Sequence, residues 1–374
     1  MKNIIVFYGG KSVEHDISII TGLQAIENID ESKYKVYPIY ITREGEFIMP
    51  KTTNQQHYIG DIQKYKKVEF CLGTPYIKLG KHFSKKVKID CAISCMHGVN
   101  GEDGTICALC NLCNIPITCP DMLSSAICMD KIIMKDIFKA NNLPCVDYIC
   151  FTRNEYENNE QEVINKCEKL QYPLIVKPAN LGSSIGIATA NNKQDLLEAI
   201  DIAICYDSRI IVEKCLTQFR EINCSAIGCF DECETSLLEE PKSWKQFLDF
   251  DEKYLNTKCS DNSNRFDISL DIDIQNQIHK LTQIAFKVFC CSGVIRIDYM
   301  YDIHTGKIYI NELNTVPGSL AFYLWKHKYS YSMLIDKLIQ MAIKQHKYKN
   351  NNQFLFSSNV LLQNRQGIMN KYTK

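Results

Sequence analysis

Residues 294–318 read VIRIDYMYDIHTGKIYINELNTVPG. Val294–Tyr301 and Lys307–Leu313 are rich in β-branched and aromatic residues and flank the turn-prone His304-Thr305-Gly306, so the stretch predicts a β-hairpin. Glu312 and Asn314 stand two apart, which places them on one face of their strand, and Asp298 on the neighbouring strand can converge on that face. Two carboxylates and an amide oxygen are hard donors suited to Mg²⁺, an ion that usually keeps positions open for phosphate oxygens. A solvated strand edge is the alternative reading of the same spacing.

Outward from the hairpin, the chain alternates strand and helix, which argues for an α/β class. Towards the N-terminus the expected elements are a strand at Ile4–Phe7, a helix at Ser18–Asn28, strands at Tyr34–Ile41 and Lys88–Ser94, and a helix at Thr105–Leu112. A short strand at Ile115–Ile117 stops at Pro120. Lys131–Ala140, Gln161–Leu170 and Lys193–Cys205 read as helices, and Asp147–Phe151, Leu174–Lys177 and Ile210–Glu213 as strands. Ile272–Phe289 precedes the hairpin as a helix and Ser332–Gln345 closes the chain. Gln246–Ser269 is polar, aromatic and without clear period. Loops of that length in compact domains usually carry function or are disordered. At roughly 100–200 residues per domain, 374 residues suggest two or three domains. The expected divisions are 1–120, 121–208 and 209–350, with a peripheral tail at 351–374.

Composition narrows the function. The 43 basic and 43 acidic residues balance, so no net field argues for nucleic acid or an anionic membrane as partner. The start runs straight into a strand without the apolar length or cleavage site of a signal peptide. No apolar run approaches the ~20 residues that span a bilayer. The expectation is a cytoplasmic protein with reduced thiols. Its 19 cysteines mostly occupy positions where an apolar residue is expected, such as Cys91, Cys167 and Cys224. An iron–sulfur reading of Cys107, Cys110, Cys113 and Cys119 meets two objections. Ferredoxin runs place three residues before the last Cys-Pro, whereas five stand here, Asn114–Thr118. The segment also reads as a regular helix.

Lys177-Pro178 ends a strand and is followed by Asn180-Leu181-Gly182-Ser183-Ser184-Ile185-Gly186. Small residues let backbone N–H groups approach phosphate oxygens, a serine hydroxyl adds a donor, and Lys177 supplies a positive charge. Neither GxxxxGK[ST] nor GxGxxG occurs in the chain. On its own the loop also reads as a plain turn.

Together these residues resemble the D-alanine–D-alanine ligase family of the ATP-grasp superfamily. The likeness is carried, in family order, by GGKSVEHDIS (Gly9–Ser18), by His97-Gly98 with Gly101-Glu102-Asp103-Gly104, by Met129-Asp130-Lys131 and by KPANLGSSIG. It continues through Glu213-Lys214 with Glu221, Glu252-Lys253-Tyr254, Arg296-Ile297-Asp298 and Asn311–Gly318. Residues 3–345 are spanned. The resemblance implies a three-domain ATP-grasp fold with a Rossmann-like N-terminal pre-ATP-grasp domain, and a homodimer. The implied reaction is ATP-dependent joining of two D-alanines to D-alanyl-D-alanine through an acyl phosphate, for peptidoglycan precursor synthesis.

It also implies roles. ATP would lie between the second and third domains, with Lys131, Lys177 and Lys253 near its phosphates, Glu213 and Glu221 facing adenine and ribose, and Ser184, Lys214 and Leu216 completing the nucleotide site. Two Mg²⁺ (or Mn²⁺) ions would sit on Asp298, Glu312 and Asn314. Arg296 and the Gly318 N–H would stabilise the oxyanion of the tetrahedral intermediate. Glu14 would anchor the first substrate's ammonium beside His97. Glu14, Ser183 and Tyr254 would form a hydrogen-bonded triad linking the first domain, the nucleotide loop and a lid at Gln246–Ser269 that excludes water from the acyl phosphate.

The chain departs from the family pattern just past the hairpin. In Gly318-Ser319-Leu320-Ala321-Phe322-Tyr323-Leu324-Trp325, Tyr323 stands where members usually carry a serine. Ser319, Tyr323 and Leu324 are the expected contacts of the second substrate, and a phenol there implies an altered acceptor pocket. The chain is also one residue longer than common members between Glu213 and Glu221. Tyr254 favours an amine acceptor, D-alanine before D-serine, over D-lactate, because the D-lactate-forming ligases of vancomycin resistance typically lack tyrosine at this position.

Overall fold

A computed structural model describes the chain apart from residues 54–57, 59–64, 81–84, 230–231, 242–265, 267, 354–357 and 359–374. The expected lid, with Lys253 and Tyr254, lies outside the described residues.

The first unit runs β1 (Lys2–Gly9), α1 (His15–Asn28), β2 (Tyr34–Ile41), β3 (Phe47–Pro50), β4 (Tyr65–Cys71), β5 (Tyr76–Leu79), β6 (Lys85–Lys88), β7 (Cys91–Ser94) and α2 (Thr105–Leu112). Its seven strands form one sheet in the order β6-β5-β4-β3-β2-β1-β7. β1 pairs in parallel with β2 and β7, while β3 to β6 add antiparallel hairpins. Ile4–Tyr8 is buried without interruption, as a parallel strand covered on both faces requires. Cys107 and Cys110 face this core from α2, a regular helix, and Cys113 and Cys119 join the same apolar cluster. Among the described residues no three His, Cys, Asp or Glu side chains gather as an iron–sulfur cluster would need. These thiols pack as small hydrophobes.

Next come α3 (Met122–Met129), α4 (Lys131–Ala140), β8 (Tyr148–Thr152), α5 (Arg153–Glu168), β9 (Leu174–Pro178), β10 (Ala188–Ala190), α6 (Lys193–Ile204) and β11 (Arg209–Lys214). β10-β9-β11-β8 form a four-stranded antiparallel sheet. The expected boundary after residue 208 therefore needs correcting: the buried run Ile210–Val212 is hydrogen-bonded between β8 and β9, and the second sheet extends to Lys214. α3 and α4 lean the other way. Cys128, Met134 and Phe138 pack in the core of the third sheet, although residues 121–143 were grouped with the second.

The third sheet consists of β12 (Phe219–Cys229), β13 (Glu232–Glu239), β14 (Gly293–Asp302) and β15 (Ile308–Asn314), in the order β13-β12-β14-β15, with α7 (Ile272–Val288) on one face. A 3₁₀ segment, Gly318–Leu324, and α8 (Tyr331–Asn350) follow. Their apolar faces do not belong to the third core. Leu320, Leu324, Trp325, Leu334, Ile335, Leu338 and Ile339 bury against the first sheet. The C-terminal helix, grouped by sequence with residues 209–350, thus completes the N-terminal core. Trp325 is fully buried at this seam, and its Nε1–H donates to Ser225 of β12 at 3.0 Å. Among the described residues, no helix is long and apolar enough to cross a membrane.

Candidate active site

β14 and β15 form the expected hairpin, with Asp298 directly opposite Glu312 and Arg296 opposite Asn314. The register slips between Asp298 and Tyr299, so Asn311 is the extra residue of a bulge. Bulges re-aim side chains. Here the Asn311 amide oxygen lies 3.5 Å from the Lys177 Nζ on β9, tying the second sheet to the third.

Arg296 and Asp298, two apart on one strand, share a face and form a bidentate pair, Nε to Oδ1 at 2.6 Å and Nη2 to Oδ2 at 2.7 Å. Asn314 Nδ2 donates to the same Asp298 Oδ2 at 3.1 Å. Arg296 Nη1 donates to the Tyr323 hydroxyl at 3.3 Å. The residues expected to act separately, as oxyanion donor, metal ligands and acceptor contact, are one hydrogen-bonded unit. Burial pushes the Tyr323 phenol up to about 12, although the Arg296 charge opposes it, so it stays a hydroxyl with its proton to donate.

Three buried lysines lie close by. The Asp130 carboxylate caps α4 through the N–H groups of Ile132 and Ile133 and pairs with Arg209 of β11. That anchorage fixes the helix phase so that Lys131 and Lys135, one turn apart, both point inward. Lys131 Nζ donates to the Leu181 carbonyl in the nucleotide loop. Lys135 Nζ lies 3.3 Å from Glu213 Oε1, and Lys177 Nζ donates to Glu213 Oε2 at 2.9 Å. Burial alone would raise the Glu213 carboxyl, but the two ammonium groups outweigh it and hold the group at about 2. Lys135, which the sequence reading did not single out, belongs to this cluster. Its signal was available: a lysine four residues after Lys131, on the face that also carries Ile132, Met134 and Phe138. Lys214 Nζ turns to the carbonyls of Gln171 and Tyr172, and Leu216 is half-buried just after β11. Glu221 lies on β12 opposite Met300.

The nucleotide loop meets the first domain. Ser183 Oγ donates to Glu14 Oε1. Ser183 and Ser184 adopt φ of 53° and 58°, a left-handed path that re-aims the loop's N–H groups. A Cβ on Gly182 would lie 2.9 Å from Glu14 Oε2, and one on Gly98 only 2.6 Å from it. Glycine is required at both for the carboxylate to reach its place. Of the expected triad, Glu14 and Ser183 are brought together, and Tyr254 lies outside the described residues.

His97 is buried, its Nε2 2.9 Å from Thr21 Oγ1 on α1. Burial first, and then the Arg296 charge, hold its imidazole down at about 4, against the backbone of Val316. Glu102, quoted above only as part of a motif, receives N–H bonds from Gly98 at 2.8 Å and Val316 at 3.3 Å. It thereby clamps the His97 loop to the turn after β15.

The segment expected to hold the second substrate begins with a tight turn. Ser319, Leu320 and Ala321 form a left-handed turn with φ near 50°. Ser319 Oγ donates to Gln24 Oε1 at 2.7 Å and its N–H to Thr21 at 3.3 Å, so its hydrogen bonds go to α1. Leu324 is wholly buried in the first core. Gly318 has open space where a Cβ would stand.

Two antiparallel sheets joined by Lys177 and Asn311, a buried group of lysines about Glu213, and a small-residue loop reaching a separate N-terminal sheet are the arrangement of an ATP-grasp enzyme. The comparisons agree. Residues 3–120 match the family model for the D-ala D-ala ligase N-terminus and residues 137–340 that for the C-terminus. A D-alanine–D-alanine ligase of Thermosipho africanus is 37% identical over 366 residues, 96% of this chain and 98% of that protein. The VanG D-Ala:D-Ser ligase of Enterococcus faecalis superposes with a TM-score of 0.78 at 28% identity, covering 91% of this chain and 99% of that one. The D-alanine–D-alanine ligase of Bacillus anthracis complexed with ATP gives 0.65 at 25% identity, over 93% and 99%. The chain belongs to the D-alanine–D-alanine ligase family.

Proposed function

We propose that this chain joins two D-alanines at the expense of ATP, in the cytoplasm, for peptidoglycan precursor synthesis. The observation that carries the reading is the Glu14–Ser183 contact, which sets the N-terminal loop on the nucleotide loop beside the Arg296–Asp298–Asn314 unit. Lys131, Lys135 and Lys177 supply positive charge where triphosphate oxygens would lie, and Glu213 keeps two of them in place. Glu14 has a carboxylate for the ammonium of the first amino acid, whose own carboxylate then takes the γ-phosphoryl group.

Asp298, Glu312 and Asn314 fit a hard divalent cation. A carboxylate offers about four lone-pair sites, so Asp298 keeps acceptor capacity beyond its bonds to Arg296 and Asn314. Asn314 spends its NH₂ on Asp298 and keeps its carbonyl oxygen for a cation. Mg²⁺ or Mn²⁺ bound there would neutralise charge on the phosphoryl group in transfer. Attack by the second amine on the acyl phosphate creates an oxyanion. Arg296, with the Gly318 N–H, stands ready to stabilise it, and the Tyr323 hydroxyl can donate to the acceptor's carboxylate.

The test is ATP-dependent phosphate release with D-alanine alone, then with D-serine or D-lactate added, with product masses recorded. Release with D-alanine alone and a D-alanyl-D-alanine mass is the expected result. D-Alanyl-D-serine as the dominant product would assign the altered acceptor pocket to D-serine. Absence of phosphate release with every pair would refute ligation.

A further inference from the structure

One row of the third sheet runs across its whole width. Glu239 of β13 stands directly opposite Asn223 of β12, Asn223 opposite Asp298, and Asp298 opposite Glu312. Directly opposed residues share a face, with Cβ atoms about 4.5–5.5 Å apart. Four oxygen-bearing side chains therefore line one face in sequence. Asp298 and Glu312 belong to the proposed metal site; Asn223 and Glu239 have no role in it so far.

Both are deeply buried, at 5% and 1% exposure. Asn223 Nδ2 donates to Glu239 Oε2 at 3.2 Å. An amide beside a carboxylate must present its NH₂ group, so Glu239 fixes which way the Asn223 side chain faces. Its carbonyl oxygen is turned away from Glu239, and among the described residues that oxygen has no hydrogen-bond partner. The next member of the row, Asp298, offers only acceptors as a carboxylate. Two neighbouring acceptors cannot satisfy each other. Asp298 already accepts from Arg296 and Asn314 and has no donor to give, so the Asn223 oxygen calls for a cation or a strongly polarised donor beside it. A magnesium ion retains several of its waters, and these are such donors. Groups that accept from metal-bound water or orient the ligands tune the affinity of the site.

We propose that Asn223 is a positioning residue of the metal site, accepting a hydrogen bond from a metal-bound water, and that Glu239 acts through it by locking the amide. This rests on the reading of Asp298, Glu312 and Asn314 as metal ligands. The test is binding of Mn²⁺, followed by electron paramagnetic resonance, to the full-length protein saturated with ADP. Asn223→Leu should weaken Mn²⁺ binding by about 10–100-fold, while ADP affinity in EDTA and the melting temperature stay near the parent's. Glu239→Gln should weaken it by about threefold, and the double variant should bind no more weakly than Asn223→Leu alone. If Asn223→Leu does not fold, Glu239→Gln carries the test. Mn²⁺ affinity within about twofold of the parent, in Asn223→Leu or, failing that, in Glu239→Gln, overturns the inference. A parent that binds no Mn²⁺ with ADP removes the metal site itself and this inference with it.

Discussion

Glu102 is drawn in two directions. Burial and the neighbouring Glu14 charge raise its carboxyl to about 8, while the N–H groups of Gly98 and Val316 favour the ionised form. A carboxyl raised in the folded state holds its proton there after the unfolded chain has released it. Its contribution to stability is therefore present below about 4.5 and is lost as pH rises towards 8. Subtracting the melting curve of Glu102→Gln from the parent's should leave a difference that declines with pH across that window; a flat difference would rule out the shift. Arg296→Ala should lower turnover by roughly 10²–10³ if the guanidinium stabilises the oxyanion, and phosphate release within tenfold of the parent would exclude that role. That Asp298, Glu312 and Asn314 share one face of the hairpin was legible from spacing alone, because strand period two dictates which residues share a face. That Arg296 grips Asp298 was not, since a bidentate pair depends on the χ angles and the pocket around them.

Among elements, the nucleotide loop is the most tightly determined. A Cβ on Gly182 would stand only 2.9 Å from the Glu14 carboxylate, so Gly182→Ala must shift either the loop or the Glu14 side chain. A shift of about 1 Å at a positioned group can cost on the order of 10²-fold. kcat/KM should fall by that order while the melting temperature barely changes; activity within a fewfold of the parent would show that the contact is dispensable. β14, β15 and α4 follow directly from apolar period and capping residues. β12 and β13 did not emerge from the sequence, and the expected division at residue 208 cut β11 from the strands it pairs with. An apolar run such as Ile210–Val212 marks a buried strand without naming its neighbours. The bulge at Asn311 was hidden for a related reason: a one-residue slip in register leaves no mark in composition.

At the scale of the molecule, the three sheets are coupled through a few joints, and two of them lie at the site: Lys177 with Asn311, and Glu102 with Val316. A ligand seated between the sheets should therefore stabilise the whole. Saturation at 100 times the dissociation constant is worth about 2.7 kcal/mol, so Mg²⁺ with ADP should raise the melting temperature and EDTA should reverse much of the rise. An unchanged melting temperature would show that the folded chain does not bind Mg²⁺ with ADP. Removing residues 331–374 should abolish cooperative folding of the N-terminal sheet, because Leu334, Ile335, Leu338 and Ile339 of α8 close its core; a sharp unfolding transition in the truncated chain would contradict that. The helix itself was foreseeable from its amphipathic period, but periodicity does not say which layer covers an apolar stripe.

Trp325, sealed at the seam with its indole bound to Ser225, makes that seam optically visible. The chain has two tryptophans, the other being Trp244. A Trp244→Phe variant would leave one chromophore in a dry setting, with blue-shifted emission for as long as the N-terminal layer and β12 stay in contact. Its red shift, followed in a stopped-flow instrument, would time the parting of those layers separately from the loss of helix seen by circular dichroism.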